Sequence, residues 1–312
     1  MSGSPGAVLR RALIAASAST TLRRAAEQLP VARAVATRFV AGETLDDALR
    51  AAVRLHRRGF AVSLDYLGEA VDEPAVARRA ADVYRQALDR LAAAGLDGSL
   101  SVKPTQLGLA ISRSLCRDLI AEICHHADRA GTDVTLDMES SAYTQATVDL
   151  VLELRAAGHG NLGCAVQSYL YRTPDDVATL VAAGASLRLC KGAYAEPPSI
   201  AYPDRADVDA AFARLADTLL RTAHYPRIAT HDHRLIHRAK NTARRDGRAA
   251  DDFEFQMLYG VREPLQRALV ADGWRLRIYV PFGGEWYPYF MRRLAERPAN
   301  VAFFLRALVG RR

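Results

Sequence analysis

The stretch from Leu100 to Asp137, LSVKPTQLGLAISRSLCRDLIAEICHHADRAGTDVTLD, decides the fold of this chain. It opens on a short apolar run, Leu100–Lys103, and closes on another, Val134–Asp137. Between them, residues 112–130 place apolar side chains at helical spacing. Two short strands separated by a helix pair in parallel, because a hairpin needs only a turn. Outward from this unit the same rhythm recurs. The other runs are Ala61–Leu64, Leu162–Gln167, Leu187–Lys191, Arg227–Thr230, Phe253–Met257 and Arg275–Val280. Helical patterns follow all eight, near residues 73–94, 112–130, 140–157, 174–183, 205–223, 233–245, 262–271 and 286–295. Eight such units fit a closed α/β barrel better than an open sheet. No Pro/Gly/Ser-rich linker breaks the series. The expected organisation is an N-terminal helical arm, 1–57, rich in Ala, Arg and Leu, followed by one (βα)8 barrel, 58–312.

Composition narrows the function. No run of about 18 apolar residues occurs, so no membrane-spanning helix is expected. The segment after Arg10 and Arg11 has an apolar core of only Ala12–Ala16, too short for a signal peptide. The four cysteines, Cys116, Cys124, Cys164 and Cys190, have no metal-binding spacing and read as buried reduced thiols of a cytoplasmic protein. The net charge is +7, and residues 1–40 hold six arginines against Glu27 alone. Those arginines are spread along helices with no nucleic-acid motif, so no nucleic-acid partner is expected; a weak attraction to an anionic membrane surface is the next reading. Both standard glycine-rich phosphate cradles are absent. The chain has three lysines, Lys103, Lys191 and Lys240, against 39 arginines. Where lysine persists against that habit, a compact ammonium is called for.

A barrel carries its site at the carboxyl ends of its strands. There the sequence places Asp65 and Glu69, Ser101 and Lys103, Asp137, Met138 and Glu139, Gln167, Arg188 and Lys191, Thr230 with His231 and Asp232, Glu254 and Gln256, and Arg277 and Tyr279. Ionised groups in or beside apolar strands are costly without partners, and a ring of them marks a site rather than one core ion pair. The final helix adds Arg292 and Arg293 after Gly283 and Gly284. Adjacent guanidiniums can grip one carboxylate with forked bonds. Glu296, four residues on, is placed to orient Arg292, and the glycines would let the helix fold over the barrel mouth.

Taken in order, several strings resemble the proline dehydrogenase family: SVKP at 101–104, LDME at 136–139, RLCKGAY at 188–194, ATH at 229–231, FEFQMLYG at 253–260 and RRLAE at 292–296. The resemblance runs from about residue 63 to residue 300. It implies a distorted barrel capped by its last helix, noncovalent FAD, and oxidation of L-proline to Δ1-pyrroline-5-carboxylate with electrons passed to a membrane quinone. It also implies roles. Lys103, Arg292 and Arg293 would pair with the proline carboxylate, while Tyr279 and Leu258 pack on its ring. Arg188 would donate to the flavin near its reactive nitrogen, and Asp137 would join the catalytic hydrogen-bond network. Met138, Gln167, Lys191, Gly192, Ala193, Thr230 and His231 would contact FAD. Cys190 stands where an aliphatic residue is commoner, and Tyr259 where bifunctional relatives often have His. The length leaves no room for an aldehyde dehydrogenase domain, so the product would pass to a separate pyrroline-5-carboxylate dehydrogenase. The implied location is cytoplasmic, against the inner face of the membrane. A lyase using Lys103 or Lys191 as a Schiff-base nucleophile is the alternative from another class.

Overall fold

The structure, a computed structural model, describes residues 36–296 and the single positions 13 and 19. The helices expected within residues 1–35 therefore lie outside the described residues. Eight parallel strands close on themselves in chain order: β1 Ala61–Tyr66, β2 Gly98–Val102, β3 Val134–Leu136, β4 Leu162–Gln167, β5 Leu187–Cys190, β6 Arg227–Ala229, β7 Glu254–Leu258 and β8 Leu276–Phe282. The seam is β1 on β8, registered from Ala61 opposite Arg277 to Tyr66 opposite Phe282. Helix α1, Leu45–His56, precedes β1. Helices α2 Pro74–Ala93, α3 Arg113–Arg129, α4 Ser141–Ala156, α5 Thr173–Ala182, α6 Arg205–Thr222, α7 His233–Arg245, α8 Glu263–Ala271 and α9 Trp286–Glu296 each follow a strand.

The eight expected strands and the helices expected after them are all found, with ends moved by a residue or two. Four runs were expected to end on Lys103, Asp137, Lys191 and Thr230. Each of these strands stops one residue earlier. Those side chains thus stand on the loops above the barrel, where parallel pairing ends. The expected boundary at residue 57 falls in the turn after α1. Thr44 and Asp47 form a reciprocal cap at the start of α1, and its Ala48, Ala51, Ala52 and Leu55 join the main core. No described helix is long and apolar enough to cross a membrane.

Alternation along the strands sorts two environments. Val62, Leu64, Leu100, Val102, Val134, Leu136, Leu187, Leu189, Ile278 and Val280 are buried in the core between sheet and helices. The residues between them point into the barrel, and many are polar or charged. Arg188 Nη1 reaches Ser101 Oγ at 2.6 Å and Arg227 Nη1 reaches Thr135 Oγ1 at 2.6 Å. These strand pairs are not neighbours, so both bonds cross the interior. Barrels of this type ordinarily fill that space with branched aliphatic layers.

Candidate active site

A cavity of about 1100 Å³ opens at the carboxyl ends of the strands. Every substrate- and cofactor-site residue named from the sequence lines it. At its base stands Asp137, one residue past β3, with its backbone N–H donating to Val102 O at 2.9 Å. Its Oδ1 accepts from Ser101 Oγ at 2.7 Å and Arg188 Nη1 at 2.6 Å, and its Oδ2 from Tyr279 OH at 2.7 Å. Lys103 Nζ donates to Asp65 Oδ1 at 2.5 Å and lies 3.4 Å from Tyr279 OH and 3.6 Å from Asp137 Oδ2. Two cations and two carboxylates thus interlock around one phenol, drawn from β1, β5, β8 and the loops just past β2 and β3.

The electrostatics follow from that packing. Burial works against the Lys103 ammonium, but Asp65 and Asp137 outweigh it and hold its proton more firmly than in water. Burial likewise works against the Asp137 carboxylate, and Lys103 and Arg188 outweigh it, so Asp137 ionises below the usual carboxylate range. Burial and the neighbouring carboxylates of Asp137 and Asp65 push the Tyr279 phenol well above its ordinary value, so it remains a donor. Arg188 is 3 % exposed, yet its Nη2 has no hydrogen-bond partner. A buried donor left unsatisfied costs about 1–3 kcal/mol. Unmet donors beside a cavity are a mark of sites built for a ligand.

Helix α9 forms the roof, and Trp286, Tyr287, Tyr289, Phe290 and Leu294 on it pack with Phe39 and Val40 in a second apolar cluster. Arg292 is buried there. Glu69, on the loop after β1, takes both Arg292 nitrogens in a forked pair, Nη1 to Oε2 at 3.1 Å and Nη2 to Oε1. The side chain of Glu296, expected to orient Arg292, lies outside the described residues. Arg292 also stands 5.7 Å over the Tyr194 ring, and Arg293 5.0 Å over that of Tyr289. The Glu69 loop is itself anchored. Ala70, with φ of 52°, donates its N–H to Thr105 Oγ1 at 3.0 Å, and Thr105 is held by Glu139 through its N–H at 2.9 Å and its hydroxyl at 2.6 Å.

The far wall is cationic and backbone-rich. Lys191 Nζ bonds Asp209 on α6 and lies 3.7 Å from Asp232, the N-cap of α7. His231 Nε2 accepts the Leu258 N–H at 2.9 Å, which fixes its tautomer. Gln167 Nε2 donates to Glu139 O at 2.8 Å, and the Thr230 hydroxyl accepts from Asp232 N at 3.1 Å. Gly192 has φ of 114°, and a Cβ there would lie 2.3 Å from the Tyr169 ring. Cys116, Cys124 and Cys164 are buried thiols, whereas Cys190 is partly exposed into the cavity rather than buried.

Sequence reasoning missed the partners more than the principals. Asp209 had no signal of its own, and Tyr194 entered only as a member of a matching string. Glu254 and Arg277, expected among the strand-end groups, lie instead at the amino ends of β7 and β8, opposite Arg227 and Ala61, because both sit at the start of their strands. Glu69 and Gln256 were visible as strand-end polar groups, but nothing in the order of residues pairs Glu69 with Arg292, 223 positions away.

An eight-stranded barrel with an ion-paired cavity at its strand ends is the architecture of a barrel enzyme. The comparisons specify which. The proline dehydrogenase family model matches residues 48–306. Proline dehydrogenase 1 of Bacillus subtilis subsp. natto is 36 % identical over 97 % of this chain and 99 % of its own length. The proline dehydrogenase of Deinococcus radiodurans is 39 % identical over 88 % of this chain and 90 % of its own. Among solved structures, proline utilization A from Bdellovibrio bacteriovorus, inactivated by N-propargylglycine, superposes with a TM-score of 0.78 at 25 % identity. That match covers 85 % of this chain and 33 % of the other, so the present chain spans a third of that longer protein. This chain belongs to the proline dehydrogenase family.

Proposed function

We propose that the chain is an FAD-dependent proline dehydrogenase, oxidising L-proline to Δ1-pyrroline-5-carboxylate and passing electrons to a membrane quinone. The observation that carries this reading is Arg188. It is buried, pinned by Asp137, Ser101 and Gln256, and left with one unpaired donor on a cavity roofed by Arg292 and Arg293.

The residues present fit the cofactor. The cavity is large enough for a dinucleotide, and Lys191, His231, His233 and Arg234 line one wall beside the N-terminus of α7, a setting suited to phosphates. Gln167, Thr230, Met138, Gly192 and Ala193 would contact its other parts. When bound, FAD supplies the two-electron acceptor for the hydride that leaves the ring carbon beside the proline nitrogen.

The chain's own work is placement. Lys103 from below and Arg292 with Arg293 from above would take the substrate carboxylate, while Tyr279 and Leu258 pack on the ring. Arg292 must first exchange Glu69 for the substrate, one carboxylate for another, so no guanidinium is left buried without an anion. Asp137 holds Arg188 and Tyr279 in line throughout. The roof helix excludes water from the reacting carbon. The product would be released to a separate dehydrogenase, and the enzyme would meet the inner face of the membrane to give up its electrons.

The test is the visible spectrum of the purified protein under anaerobic conditions. A flavin band that bleaches on addition of proline is expected. A colourless protein, or a band indifferent to proline, overturns the reading. Borohydride trapping of a substrate on Lys103 or Lys191 would instead favour a Schiff-base lyase.

A further inference from the structure

Beneath Arg188 the barrel interior holds a second charged layer. Glu254, fully buried on β7, accepts from Arg277 Nε at 2.8 Å and lies 3.8 Å from Arg227 Nε. Arg277 continues to Asp97 at 3.2 Å and Arg227 to Asp133. Between this layer and Arg188 sits one neutral residue, Gln256. Its Oε1 accepts from Arg188 Nε at 2.5 Å, and its Nε2 donates to Glu254 Oε1 at 2.5 Å.

An amide can face either way, and here its facing is determined. An ionised carboxylate only accepts, so Glu254 demands the NH2 end of Gln256. Burial opposes the charge on Glu254, but Arg277 and Arg227 outweigh it and lower its pKa to about 2, so it remains an acceptor at every working pH. The carbonyl of Gln256 must then face Arg188. Arg188 is held from two directions, Nη1 by Ser101 and Asp137 and Nε by Gln256, and its planar guanidinium has one orientation left. Because Gln256 is uncharged, the layer below holds Arg188 without neutralising it. Its ion-pair partner among the described residues is Asp137 alone.

We propose that Gln256, oriented by Glu254, is a positioning residue for Arg188: it fixes the guanidinium plane so that Nη2 faces the cofactor and leaves its positive charge available to the reduced flavin. This rests on the flavin-dependent reading above. A cation held next to a flavin that gains negative charge raises the flavin's midpoint potential and speeds its reduction. The substrate carboxylate is assigned to other groups, so substrate binding should be spared.

The experiment compares the wild-type holoenzyme with Gln256→Leu and Glu254→Gln. Gln256→Leu keeps the volume and removes both bonds. Glu254→Gln lets the Gln256 amide turn. Three readings are taken on each: the flavin midpoint potential by anaerobic titration, kcat and KM for proline, and Tm. For Gln256→Leu the expected result is a more negative potential and a kcat about tenfold lower, with KM within about twofold of wild type. Glu254→Gln should move the same way if it folds, and Gln256→Leu carries the test if it does not. A Gln256→Leu enzyme with lowered Tm but wild-type potential and kcat would make Gln256 a packing residue and overturn the proposal. A wild-type flavin that bleaches with proline in that same comparison would leave the functional reading standing, whereas a wild type that never bleaches would remove both.

Discussion

Arg292 illustrates how one side chain serves two anions. In the structure its fork is closed on Glu69, and the proposed substrate offers the same carboxylate geometry. Removing the guanidinium deprives both anions of it. Truncating one partner of a buried charge pair costs about 2–5 kcal/mol, so Arg292→Met should raise KM for proline about a hundredfold while flavin content is unchanged. Steady-state kinetics together with the flavin-to-protein absorbance ratio check this, and an unaltered KM would remove Arg292 from the substrate site. Arg293→Met is expected to act in the same direction. The adjacent arginines were legible through their context, a helix after two glycines within the string RRLAE, since the chain carries other Arg-Arg pairs. The identity of the resident anion was not, because that pairing is made through space between a roof helix and a loop at the other end of the chain.

Among the elements, the loop after β5 and the turn after β7 make strict backbone demands. Gly192 holds φ at 114° with the Tyr169 ring where a Cβ would stand. Gly260 holds φ at 69°, and a Cβ there would lie 1.7 Å from Arg38 O, a backbone atom that cannot swing aside. Both substitutions to Ala should destabilise by about 2 kcal/mol or more, from strain at positive φ plus displacement of the neighbour. They should differ in kind. Gly192→Ala should also lower the flavin retained on purification, since this loop lines the cavity; Gly260→Ala should show its effect chiefly as a lower Tm. Equal flavin retention in wild type and Gly192→Ala would dissociate that loop from the cofactor. Strand and helix order was legible across the whole barrel because the apolar outer faces obey their periods, as in Leu100, Val102, Val134 and Leu136. Strand ends were not, because Lys103, Asp137, Lys191 and Thr230 leave the ladder where a neighbouring strand stops, and that is a property of the sheet.

Across the whole molecule, ionised groups are distributed through the barrel interior from Asp97 at one end to Lys103 and Asp137 at the other. Stability should therefore depend on pH through residues far from the surface. Glu139 is pushed up to about 7 from an ordinary 4.5, chiefly by burial, with the Thr105 bonds opposing. Its folded pKa is raised, so between pH 4.5 and 7 the unfolded chain ionises while the native state resists. The native state then loses about 3 kcal/mol over that window. Glu139→Gln should flatten this decline, seen as a smaller difference in Tm between pH 5 and pH 8; identical differences in both proteins would refute the assignment. Glu254 has the opposite sign. Its folded pKa is lowered to about 2, so its stabilisation is full above 4.5 and is lost as pH falls towards 2. The charged interior was half legible: individual strand residues such as Arg188 and Glu254 stood out, but their linkage across the axis is a product of closure. That axis has a consequence for warming. The hydration of ions becomes less favourable as temperature rises, so the cost of having removed these groups from water shrinks, while apolar stabilisation levels off. On heating, this barrel's filling should therefore weaken less than an aliphatic filling of equal volume.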